Sequence, residues 1–117
     1  MELSLTLSDD ERHACRRAGI LMRAISRGLQ EIGSQQEADS CGGYASTLDA
    51  IVTSGACCSV NADGKVDLEQ AAFVMEGIRD GLDNADLDEG ADFIQRDIER
   101  LNDIVLRYNA QAGKAVS

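Results

Sequence analysis

The side chains with reactive potential in this chain are Cys15, Cys41, Cys57, Cys58 and a single histidine, His13. Their spacing does not form a zinc knuckle, which uses two cysteines separated by two to four residues. Neighbours such as Cys57 and Cys58 point apart, and His13 and Cys15 lie about 200° apart around a helix. The thiols are therefore read as reduced packing residues, since free cysteine is commonly a small buried hydrophobe. Nucleophilic catalysis needs a Ser or Cys beside a base, and His13 offers the only imidazole. Ser40-Cys41-Gly42-Gly43 is glycine-rich but lacks the preceding strand and nearby lysine of a phosphate cradle. The expectation is that the chain is not an enzyme and holds no cofactor.

Ser59 to Gln70 resembles an EF-hand or dockerin calcium loop. Asn61, Asp63 and Asp67 fall on ligand positions three, five and nine, with Gly64 on the turn. Position one is Ser59 and position twelve is Gln70, so the loop supplies only two carboxylates and lacks the bidentate glutamate. Calcium binding at Asn61, Asp63 and Asp67 is thus the weaker reading. The same residues serve a glycine turn feeding a helix capped by Asp67.

The elements that position these groups follow from hydrophobic spacing. No proline occurs in 117 residues, and apolar residues recur at intervals of three and four. Ser8-Asp9-Asp10-Glu11 reads as a capping box opening a first helix. Its stripe is Ala14, Ala18, Leu21, Ile25 and Ile32, and Gly33 ends it. Ser34 to Gly43 reads as a polar loop broken at Gly42-Gly43, and a short second helix follows from Tyr44 to Thr53. The third helix carries Leu68, Ala71, Met75, Ile78 and Leu82. The fourth starts near Asp86, with Leu87, Ala91, Ile94, Ile98, Leu101, Val105 and Tyr108 inward, and frays after Ala112. The fold class is all-α, a single domain over residues 1–117 built as a compact bundle of about four helices, one of them short. Aromatics are only 3% of residues. A core so rich in alanine buries little area per residue, and homodimerisation is expected to supplement it.

The formal charge of -10 argues against nucleic acid and against an anionic membrane surface. No apolar run approaches a membrane span, and residues 1–5 lack the pattern of a secretory signal, which makes a cytoplasmic location the expectation. Charge is unevenly distributed. Arg12, Arg16, Arg23 and Arg27 share one side of the first helix, whereas Asp80 to Asp92 carries Asp80, Asp83, Asp86, Asp88, Glu89 and Asp92 with no base among them. Both phenylalanines fall off the core stripes. Phe73 projects about 160° from Met75, alongside Val66 and Gly77. Phe93 sits on a flank with Ile104, and Arg100 and Arg107 would form a rim beside it. Phe73, Gly77, Phe93 and Ile104, with Asp83, Asp86 and Asp88 to steer approach, are the expected partner-binding residues.

In size, acidity and helical make-up, the chain resembles small bacterial antiactivators that sequester transcriptional regulators, including the quorum-sensing antiactivators of LuxR-type receptors. The likeness is one of type across the whole chain and carries over no individual residue. It implies a transcriptional regulator as partner, prevented from dimerising or binding DNA. Antitoxins, immunity proteins and secretion chaperones share these gross features, and an acidic DNA mimic is a further alternative.

Overall fold

The computed structural model describes residues 2–116, with side chains as far as Lys114. The order is β1 (Leu3–Thr6), α1 (Asp9–Glu31), α2 (Gln35–Thr53), β2 (Cys57–Val60), α3 (Ala62–Asn84) and α4 (Asp88–Val116). It is a four-helix bundle with one small sheet at an end.

The Ser8 box forms as read: Ser8 Oγ accepts from the Glu11 N–H at 3.1 Å, and Glu11 Oε1 accepts from the Ser8 N–H at 2.9 Å. Asp9, Asp10 and Glu11 then place negative charge at the positive end of the helix dipole. Ala14, Cys15, Ala18 and Met22 form the buried stripe. Gly33 ends the turn with φ 82°, a left-handed conformation that costs a glycine little. Ile32, expected at the end of the stripe, lies just outside the helix and is exposed.

α2 departs from expectation. Residues 35–43 are helix, not loop, so this helix spans 19 residues and is not the short element expected. Ala38, Cys41, Ala45, Leu48 and Ile51 are all buried and continue one stripe through the two glycines. Small residues allow α1 and α2 to pack closely: a Cβ on Gly19 would lie 3.1 Å from Asp49 Oδ1, and one on Gly42 would lie 3.6 Å from Ser26 Oγ. Ser26 Oγ also donates to the Ala38 carbonyl at 2.7 Å. Packing of this kind outweighs the cost of about 1 kcal/mol for each glycine in a helix interior.

Gly55, at φ 81°, leads from α2 into β2. The strands pair antiparallel, with Leu3 opposite Val60 and Leu5 opposite Cys58. Leu5, Cys58 and Val60 face the core while Ser4, Cys57 and Ser59 face outward. α3 starts at Ala62, with Asn61 as its cap: Asn61 Oδ1 accepts from the Gly64 N–H at 2.7 Å. The expected cap, Asp67, is inside the helix and accepts from Thr47 Oγ1 of α2 at 2.5 Å. α4 begins at Asp88 and not at Asp86, which adopts φ 61° in the turn. It runs on to Val116 through the residues expected to fray; Ser117 lies outside the described residues.

The helices form two hairpins, α1–α2 and α3–α4, joined chiefly by α1 against α4 and α2 against α3. Two buried acids fasten α1 to α4. Asp97 accepts from Arg17 Nε at 2.9 Å and Nη2 at 2.8 Å. Glu11 accepts from Arg107 Nη1 at 2.5 Å and Nη2 at 2.9 Å, and Arg107 also donates to the Thr6 carbonyl at 3.0 Å. Burial thins beyond Met22 in α1 and Met75 in α3, where Ile25, Leu29, Ile78 and Leu82 are only partly covered.

Candidate partner-binding surfaces

α3 turns Leu68, Ala71, Ala72 and Met75 inward. At 3.6 residues per turn, Val66, Phe73 and Gly77 must then point away from the bundle, and all three are exposed. Phe73 is 69% exposed, and Glu69, Gln70 and Asp80 surround it as exposed polar neighbours. The absence of a side chain on Gly77 leaves open space beside it.

Towards its C-terminus this face runs into the α3–α4 turn, where Asp83, Asp86, Asp88, Glu89 and Asp92 are exposed. None of these five has an ion-pair partner among the described residues, whereas Asp80 is held by Arg79. Leu87 stands exposed among them. It was expected in the α4 stripe; because the helix starts one residue later, Leu87 belongs to the turn.

Phe93, 49% exposed, shares a groove with Met75, from which Phe73 projects about 160° around α3. Phe93 faces α1, where the Arg17 guanidinium sits 5.2 Å from the ring centroid in a cation–π contact. Ile20, Leu21, Ala24, Met75 and Ile94 continue from the ring as an apolar groove of about 240 Å³. Ile20 is exposed, and its position off the α1 stripe was the available signal for it. Ile104 does not accompany Phe93: it is fully buried in the core. The two share an angular flank, but eleven residues separate them by about 16 Å of helix rise, and at that height Ile104 belongs to the core cluster. Arg107 is likewise absent from any rim, being engaged by Glu11. Phe73 and Phe93 therefore do not form one face.

The calcium-like segment is a strand followed by the first turns of a helix, not a loop. Asp63 and Asp67 are one helical turn apart, Asn61 is occupied as a cap, and Asp67 is held by Thr47. Among the described residues no three His, Cys, Asp or Glu side chains converge as a metal site. Asn61, Asp63 and Asp67 do line one cavity of about 290 Å³, together with Glu2, Thr47, Ala50 and Ser59.

Cys15, Cys41 and Cys58 are buried and Cys57 is exposed, as alternation along β2 requires. Burial, reinforced by Cys58 and Glu11, pushes the Cys15 thiol up to about 12. Burial also raises Cys41 and Cys58 above the ordinary thiol value, which disfavours the reactive thiolate. On α1, Arg12 pairs with Asp9 and Arg23 with Asp49 of α2, leaving Arg16 and Arg27 as the exposed remainder of the basic stripe. The candidate site thus consists of exposed apolar side chains bordered by uncompensated carboxylates, which is chemistry for binding another surface.

The chain matches no known protein family, curated protein or solved structure.

Proposed function

We propose that this chain is a small acidic binding protein that occupies a basic, partly apolar surface of another protein and blocks it sterically. The partner class we propose is a bacterial transcriptional regulator, kept from dimerising or from binding DNA. The observation that carries the reading is Phe73, an aromatic ring 69% exposed on a face that leads into five unpaired carboxylates at the α3–α4 turn. Large aromatic rings anchor interfaces when they enter a partner's pocket, and an acidic rim raises the rate of encounter with a basic patch.

The test is capture by the immobilised chain from lysate of the source cells, followed by kinetics on the captured partner. Covering an exposed phenylalanine is worth roughly 2 kcal/mol, so Phe73→Ala should weaken binding about thirtyfold, chiefly through faster release. Asp83→Asn, Asp86→Asn and Asp88→Asn together should instead slow association, and high salt should mimic them. A partner held equally well by the Phe73→Ala chain would refute the assignment of this face.

A further inference from the structure

We infer that the exposed face of α4 around Phe93 is a self-association surface, on which a second copy of this chain docks antiparallel. Glu89, Phe93, Arg96 and Arg100 follow one another at intervals of four, three and four, so they line one side of the helix, and all are exposed. Along the axis the order is acid, aromatic ring, base, base. A two-fold axis perpendicular to the helix reverses that order in the second copy. When Phe93 lies opposite Arg96 of the second copy, Glu89 falls opposite Arg100 of the second copy, and both relations occur twice. Asp92 then adjoins Arg96 of the second copy. A parallel arrangement would place acid on acid and base on base.

The single chain leaves these groups available. Among the described residues Glu89, Asp92 and Arg96 have no ion-pair partner, although Asp92 and Arg96 are spaced to pair along the helix. Arg100 has only a 3.7 Å contact with exposed Asp10. Beside this charged line, Phe93 and Ile20 stand exposed at the mouth of the apolar groove between α1 and α4, which gives the surface a hydrophobic centre. The rest of the molecule argues for the same face. At a formal charge of -10 per copy, two chains repel at long range, and association requires a surface where bases meet acids. On the outer face of α3, Glu69 and Asp80 are already paired with Lys65 and Arg79 of the same chain, so they offer no free charge to a second copy. The α4 line carries its acid at one end and its bases at the other, so it complements a reversed copy of itself.

Glu89 and Asp92 also border the Phe73 face, so self-association is scored on the isolated chain, apart from partner capture, and Arg96, Arg100 and Phe93 are the positions that belong to this surface alone. The experiment is light scattering after size exclusion, over a concentration series of the full chain, with helicity followed by circular dichroism. The native chain is expected to dimerise. Arg96→Glu with Arg100→Glu, and separately Glu89→Arg with Asp92→Arg, should each weaken self-association about tenfold or more, because each makes the line uniform in sign. An equal mixture of the two variants should recover association, since each supplies the charge that the other lacks. Phe93→Glu, a change at a half-exposed position, should give a monomer of unchanged helicity. A native chain that stays monomeric, a dimer that survives both charge swaps, or a mixture that fails to associate would overturn the proposal.

Discussion

The ion pair between Arg17 and Asp97 is asymmetric, and the asymmetry predicts which partner is dearer to lose. The Asp97 side chain is 4% exposed while that of Arg17 is 44% exposed. Replacing Arg17 by Met keeps most of the stem but strands a carboxylate where water does not reach. Breaking a buried pair in this way costs about 3 kcal/mol or more. Replacing Asp97 by Asn leaves an amide oxygen able to accept one bond, and the half-exposed guanidinium turns to solvent. That loss should be about 1 kcal/mol, the value of one hydrogen bond with partial compensation. In a domain of this size each kcal/mol shifts the melting temperature by roughly 4–8 °C, so the two variants should fall about 15 °C and about 5 °C below the native chain. The double variant removes the stranded charge and should be more stable than Arg17→Met alone. Thermal and urea unfolding of the four proteins supply the cycle. If Asp97→Asn proves as destabilising as Arg17→Met, exposure does not govern this contact and the reasoning fails.

Three more variants test other parts of the structure. Burial alone would raise the Glu11 carboxyl, but the hydrogen bonds and charge of Arg107, with the Ser8 N–H, hold it below its ordinary value. A depressed carboxyl contributes stability that is complete above the unfolded value of about 4.3 and is lost as pH falls through the folded value. Glu11→Gln should therefore be destabilised near neutrality, with its deficit against the native chain narrowing on acidification; a deficit that widens would contradict the sign. For the helical course of residues 35–43, Gly43→Ala should raise stability by roughly 0.5–1 kcal/mol, because nothing lies within 4 Å of the new methyl group. Gly33→Ala should lower it by about 1 kcal/mol, since φ there is 82°. Urea midpoints unchanged by Gly43→Ala would place that residue outside a helix.

Signals carried by neighbouring residues were legible in the sequence. The Ser8 box, the stop at Gly33 and the stripe from Ala91 to Tyr108 all appear in the structure, because capping and periodic burial operate within a few turns of one helix. The Gly42-Gly43 pair misled because the helix there is held by its buried stripe, Ala38, Cys41 and Ala45, and Gly42 meets Ser26 of α1, while Gly43 faces open space; contacts across to α1 are not visible in a local window. The strands were missed although Leu3, Leu5 and Leu7 alternate with Ser4, Thr6 and Ser8; a short alternating run has little weight until its partner, Cys57–Val60, is known. Asn61 took the capping role given to Asp67 because both types cap equally well, and the choice depends on where β2 ends. At the candidate surfaces, angular projection was sufficient for Phe73, Gly77 and the acidic turn. It failed for Ile104, since a helical wheel discards height along the axis and height decides what covers a flank.

The pairing of β1 with β2 also constrains how the protein is made. During synthesis the opening strand leaves the ribosome long before residues 57–60 exist, so its leucines must wait without a template while α1 and α2 form. Only when the middle of the chain arrives can the sheet zip shut, and only when Arg107 follows can Thr6 and Glu11 be latched in place.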